Sequence, residues 1–232
     1  MGLKVKTCIF CIVMVIAFHY NGYCQLTKQY HKAAYPFWQY LPADSILKNN
    51  PPVLIFLHGR SLSGNNLELV KRYGIICELL HGRNIPAIIV APQLAYKKGW
   101  EPDKILSVLN YIQATFKTDT TRVYIVGMSL GGYGTLFFAG KYPNRITAAV
   151  ALCGGGSVAD ACRLAGINLW IMHGKKDVAV PFAESERMVS AIKKCGNASK
   201  LRYTVYENYD HGDMARVFRQ DSIYDWMFKL RK

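Results

Sequence analysis

A serine with a glycine two residues to either side stands at Gly127-Met128-Ser129-Leu130-Gly131. An apolar run precedes it and a helical pattern follows. A serine on so sharp a strand-to-helix turn sits in strained backbone, and side chains two before and two after would collide, so glycine belongs at both places. Such a turn lifts the hydroxyl above the sheet and aims the first N–H groups of the helix at negative charge developing beside it. Gly132 and Gly134 allow close packing in the same stretch. The pattern predicts Ser129 as a nucleophile; a glycine-rich structural turn is the plainer alternative.

A serine hydroxyl is a poor nucleophile at neutral pH and needs a general base. Of the six histidines, His211 fits best, in the polar turn Asp210-His211-Gly212-Asp213 after the last apolar strand. His19 lies in the N-terminal apolar segment, His31 precedes the core, and His81 ends a helical pattern. His58 and His173 each precede a glycine at a strand end, where holding loops by hydrogen bonds is the expected role. The base in turn needs a carboxylate to fix its tautomer and to stabilise imidazolium. Asp177 is placed for this, Asp160 is the runner-up, and Asp210 adjoins His211 so that the two side chains should diverge. Loop capping is the ordinary alternative for Asp177 and Asp210. A tetrahedral oxyanion needs two donors: the Leu130 N–H, directly after the nucleophile, and the Arg60 N–H in Leu57-His58-Gly59-Arg60-Ser61. The Arg60 guanidinium would also suit an acidic substrate group, with a solvent-facing arginine as the equal alternative. Trp100, in the loop after the second long strand, is expected to wall the substrate pocket, with a core or surface aromatic as the alternative.

These residues need a frame that brings them together. Residues 53–57, 87–91, 123–126, 148–152 and 169–172 are short, unbroken apolar runs, the mark of strands buried on both faces. Between and after them come helical patterns at 67–80, with Asn65 or Asn66 as N-cap, at 102–116, at 130–141, at 184–194 and at 223–230. Residues 201–206 read as a further strand, and 35–41 with the residues before them as antiparallel edge strands. Strands alternating with helices predict a mostly parallel sheet covered on both sides. No insertion after the 123–126 strand is long enough for a lid domain, so the site should be open.

Composition limits the alternatives. With 51% hydrophobic and 19% charged residues the chain is globular. The net charge of +14 is scattered in pairs with no nucleic-acid motif, so nucleic acid is not expected as a partner. Lys4 and Lys6 precede an apolar run from Cys8 to Phe18, too short to span a bilayer and suited to a secretory signal. Residues 1–24 are expected to be that signal, or an uncleaved anchor, and 25–232 the exported catalytic domain. Loss of 1–24 would leave Cys77, Cys153, Cys162 and Cys195. Cys153 and Cys162, joined through Gly154-Gly155-Gly156, are the expected bridge; four buried thiols are the alternative.

The segments Leu57-His58-Gly59, Gly127 to Gly132, Trp170 to Gly174 with Asp177, and Asp210-His211-Gly212 resemble those of compact α/β-hydrolase esterases. The similarity, over about residues 35–232, is to the dienelactone hydrolase, phospholipase/carboxylesterase and feruloyl-esterase-like groups; Ala91-Pro92-Gln93 and Val180-Pro181 add to it. It implies an α/β-hydrolase fold without a large lid. It also implies a Ser129–His211–Asp177 triad, hydrolysis of small or polysaccharide-linked esters through an acyl-enzyme, and no cofactor or metal. The dienelactone hydrolases proper use cysteine where this chain has Ser129. A peptidase of the prolyl-oligopeptidase type and a non-catalytic binding protein on the same scaffold are the competing readings.

Overall fold

The computed structural model describes residues 25–232; the expected signal segment 1–24 lies outside the described residues. Eight strands form one sheet in the order β1-β2-β4-β3-β5-β6-β7-β8. The strands are β1 (Gln25–Gln29), β2 (Phe37–Leu41), β3 (Val53–Leu57), β4 (Ile88–Pro92), β5 (Val123–Met128), β6 (Ala148–Leu152), β7 (Asn168–Gly174) and β8 (Leu201–Tyr206). β1 pairs antiparallel with β2, and β2 with β4; the rest are parallel. This is the mostly parallel sheet, with helices on both faces, that the apolar runs implied.

Side-chain alternation along each strand splits the core in two. Val53, Ile55 and Leu57 of β3 face one side with the buried stripe Ile105, Val108, Leu109 and Ile112 of α3 (Pro102–Thr115). Leu136 and Phe138 of α4 (Leu130–Lys141) join them, as do Leu164 of α5 (Ala161–Ala165) and Met188 and Ile192 of α6 (Ala183–Lys193). Leu54 and Phe56 face the other side, with α2 (Ile75–Leu80), the 3₁₀ segment Asp213–Arg219 and α7 (Asp221–Phe228). A short α1 (Asp44–Leu47) precedes β3.

The helical pattern over 67–80 is not one helix. It begins as a 3₁₀ turn, Leu67–Lys71, capped by the Asn66 side chain accepting from the Glu68 N–H, and breaks before α2 at Gly74, where φ is +82°. A Cβ on Gly74 would lie 2.1 Å from Phe56 Cζ, so both conformation and space require glycine there.

The expected Cys153–Cys162 bridge does not form. Cys162 of α5 is bonded to Cys195, just beyond α6. α5 and α6 pack side by side, which brings these two together. Cys153 instead stays with the sheet, its N–H bonded to the Met172 carbonyl and its thiol buried. The glycines after it carry the chain past the start of α4 rather than back on itself, with Gly154 packed on Gly132.

Candidate active site

Sheet order places the site. From β3 the chain crosses to β4 on one flank, and from β5 to β6 on the other, so the loops leaving the adjacent strands β3 and β5 diverge. A crevice at the carboxyl ends of strands, where the order reverses, is where open α/β sheets bind ligands. Ser129 leaves β5 and the Gly59–Arg60 loop leaves β3 at that point.

The turn at Ser129 is as sharp as the glycine spacing requires. Ser129 has φ +60° and ψ −123°, a conformation other residues rarely adopt. A Cβ on Gly127 would lie 2.2 Å from the Gly131 carbonyl oxygen, and one on Gly131 1.9 Å from that of Leu57. The two glycines let the first turn of α4 press against β3 and β5, while the Ser129 N–H is anchored to the Leu152 carbonyl of β6.

The three residues expected to act together are joined in one hydrogen-bonded chain. Ser129 Oγ lies 2.9 Å from His211 Nε2, and His211 Nδ1 lies 2.6 Å from Asp177 Oδ2. A ring nitrogen facing a carboxylate at that distance carries the hydrogen, which leaves Nε2 free to accept from the serine hydroxyl. Asp177 Oδ1 accepts from the N–H groups of Ala179 and Val180, at 2.9 and 2.8 Å. Burial alone would raise the Asp177 pKa, but the Val180 N–H, His211 and the Ala179 N–H together hold it below the usual carboxylate range. Ser129 and His211 are half-buried and Asp177 is buried, so the reacting end of the chain meets solvent.

Leu130 and Arg60 are each the first residue of a helical segment, α4 and a 3₁₀ turn over Arg60–Leu62. First-turn N–H groups have no acceptor within their helix. Both residues line a cavity of about 650 Å³ together with Ser129 and His211. The Arg60 loop approaches closely: a Cβ on Gly59 would lie 3.2 Å from Ser129 Cβ. Among the described residues lining the cavity, Arg60 is the only Arg, Lys, Asp or Glu.

Trp100 does not line this cavity, contrary to expectation. It is 6% exposed and packs edge-on against His58 and Tyr35, over Gly134 of α4. Its indole N–H donates to the His58 carbonyl. The loop after β4 turns the ring inward, under the β3–β5 crevice. Tyr73 and Tyr133, with Ala179, Val180 and Ala215, line the cavity instead. Tyr133 sits one helical turn after Ser129, a spacing that places both on one face of α4 and that the sequence reading did not use. Tyr73 carries no such signal. Its hydroxyl accepts from the Gly59 N–H at 2.9 Å, a contact made only by tertiary packing.

His58 and His173 make the loop-holding hydrogen bonds that their positions suggested. His58 Nδ1 donates to the Gly59 carbonyl and its Nε2 accepts from the Leu94 N–H, and burial lowers its pKa to about 4. The Cys153 thiol, the Asp177 carboxylate and the His211 ring place possible metal-donor atoms within 4.8 Å of one another. Burial and the Asp177 charge push the Cys153 thiol well up, so it remains a protonated thiol against the back of the Asp177–His211 pair.

Known proteins place the chain further. The Esterase family model matches residues 85–207, more than half of the 232 residues. Feruloyl esterase B of Neurospora crassa is 31% identical over 133 residues, covering 50% of this chain and 42% of that protein, so the match takes in under half of that relative's length. Among solved structures, a thermostable esterase superposes with a TM-score of 0.74 at 24% identity, over 90% of this chain and 63% of that one. The feruloyl esterase module of Clostridium thermocellum, in complex with sinapinate, superposes with a TM-score of 0.67 at 15% identity, over 88% and 87%. At these identities the superpositions speak for the fold. The family match speaks for more: this chain belongs to the Esterase family.

Proposed function

We propose that the chain is an exported serine hydrolase that cleaves carboxylic esters through an acyl-enzyme on Ser129. The observation that carries the reading is the continuous Ser129–His211–Asp177 hydrogen-bond chain at the strand-to-helix turn. His211 Nε2 takes the Ser129 proton as Oγ attacks the ester carbonyl. The resulting oxyanion is met by the Leu130 and Arg60 N–H groups. Protonated His211 then gives its proton to the leaving alcohol. Water, activated by the same ring, releases the acid and restores Ser129. Asp177 remains ionised throughout and holds the ring in the tautomer this requires.

The cavity beside Ser129 is lined mainly by Tyr73, Tyr133, Met128, Val180 and the alanines, apolar and aromatic surface suited to an acyl group. The named relative makes hydroxycinnamoyl esters, free or polysaccharide-linked, the first substrates to try. A disulfide between Cys162 and Cys195 is in keeping with export to an oxidising compartment.

The test is turnover of p-nitrophenyl and hydroxycinnamoyl esters, with a peptide anilide for comparison, together with labelling by a fluorophosphonate. Wild type should hydrolyse esters and be labelled at Ser129. Ser129→Ala should lose both, retaining only the weak catalysis that binding and oxyanion donors supply. Asp177→Asn should retain more than Ser129→Ala. Ester hydrolysis by Ser129→Ala at the wild-type rate would refute the mechanism, and faster cleavage of the anilide than of any ester would favour a peptidase.

A further inference from the structure

We infer that His173 is a positioning residue for this site, holding the Asp177 carboxylate to the sheet from behind and sharing Asp177 Oδ2 with His211. This rests on the reading of Ser129, His211 and Asp177 as the catalytic chain.

His173 lies near the end of β7 and is fully buried. Its Nε2 faces two oxygens, the Val180 carbonyl at 3.2 Å and Asp177 Oδ2 at 3.3 Å. Neither can donate, so Nε2 carries the hydrogen. Its Nδ1 lies 2.7 Å from Ser185 Oγ of α6, which is also 2.9 Å from the Gly154 carbonyl. Burial lowers the His173 pKa against the opposing pull of Asp177. The ring is therefore neutral, with Nδ1 beside the Ser185 hydroxyl, whose one hydrogen can serve either Nδ1 or the Gly154 carbonyl.

Three donors bond Asp177, the Ala179 and Val180 N–H groups on Oδ1 and His211 on Oδ2, and the His173 Nε2–H, bonded to the Val180 carbonyl of the same loop, faces Oδ2 at 3.3 Å. The first two belong to the loop that carries Asp177, and His211 belongs to the loop after β8. His173 alone stands on a strand of the sheet, the same sheet whose β5 presents Ser129. It thus fixes Asp177 relative to the nucleophile. It also withdraws electron density from the oxygen that steadies the His211 imidazolium.

The two effects separate experimentally. His173→Phe removes the donor and keeps a buried ring. Turnover per active site should fall about tenfold to a hundredfold with KM nearly unchanged, because what is lost is orientation of the base. A carboxylate relieved of one donor attracts imidazolium more strongly, so the midpoint of the acid limb of kcat against pH should move upward. His173→Gln, whose amide can donate near the Nε2 position, should restore part of both.

The other titratable groups around the pair are Cys153 at the end of β6, Tyr133 of α4 with Glu184 of α6 behind it, and Asp210 and Asp213 in the loop of His211. All remain in both proteins, so the difference reads His173. Active sites are counted by fluorophosphonate titration. A wild type that is neither labelled nor active on esters would overturn the hydrolase reading and this inference with it. Normal labelling, with wild-type turnover per labelled site and an unmoved midpoint in His173→Phe, would overturn this inference alone. Should His173→Phe yield no folded protein, His173→Asn, whose shorter amide can meet Ser185 in place of Nδ1 but does not reach Asp177, decides: a raised midpoint supports the role and an unmoved one refutes it.

Discussion

At the residue scale, Tyr73 shows how far the machinery extends beyond the groups that react. Its hydroxyl, buried enough that the phenol pKa is raised, holds the Gly59 N–H and lies 3.5 Å from Ser61 Oγ. That grip sets the loop whose next residue, Arg60, is proposed to offer its N–H to the oxyanion. Tyr73→Phe leaves the Gly59 N–H without its partner at a part-buried position, a loss of about 1–2 kcal/mol. The expected outcome is a fall in kcat of about tenfold with little change in KM, read by steady-state kinetics on a p-nitrophenyl ester. An equal loss of kcat in Ser61→Ala would instead assign the effect to the hydroxyl pair. That Ser129, His211 and Asp177 meet was legible because each proposed role restricts residue type, and because chain order and the Gly127–Gly131 spacing restrict place. Tyr73 and the turned-in Trp100 were not. An aromatic in a loop obeys no such rule, and its direction is settled by what packs around it.

At the element scale, the strands could be read directly and the connections only in part. Residues buried on both faces of a parallel sheet must be continuously apolar, so β3 to β7 announce themselves. Periodicity cannot see a break such as Gly74, because the apolar spacing continues across it while φ changes sign. Nor can spacing in sequence decide a disulfide, which depends on which helices lie side by side. The Cys162–Cys195 bond closes a loop with a sequence separation of 33 residues, and constraint of the unfolded chain by such a loop is worth about 3–4 kcal/mol. It ties α5 to the end of α6, away from the cavity lining. The double variant Cys162→Ser/Cys195→Ser should therefore melt roughly 10 °C lower and keep wild-type kcat/KM at 25 °C. A melting temperature equal to wild type would show that the pair contributes nothing in solution, and a large loss of activity would show that α6 transmits to Ser185 and His173.

Across the whole molecule, the two edges of the sheet divide the work. The carboxyl edge carries strained backbone, half-buried polar groups and an open cavity, all of which favour chemistry over stability. The amino edge is clipped shut. There Asp119, in the turn before β5, accepts from Thr121 Oγ1 and N–H and from Arg122 Nε, and it meets Arg231 from the end of the described chain at 3.2 Å. The Asp119 N–H is bonded to the Pro51 carbonyl just before β3, and the Lys232 N–H to that of Thr121. One residue, through its backbone and its carboxylate, thus links the start of the two central strands to the last described residues. The Thr121 hydroxyl bond, outweighing burial and joined by Arg122 and the Thr121 N–H, lowers the Asp119 pKa to about 2. A folded-state value below that of the unfolded chain, about 3.9, gives stability that is complete above the unfolded value and is lost as pH falls through the folded one. The window is pH 4 to 2. Because the side chain is 17% exposed and its charges are partly screened, the contribution at neutral pH is about 1 kcal/mol. Asp119→Asn should be less stable than wild type by that amount in urea at pH 7, and the gap should close as pH is lowered toward 2. Ester turnover should not change, since no residue of the cavity is involved. A gap that persists unchanged at pH 2 would mean that Asp119 acts by shape alone and not by charge.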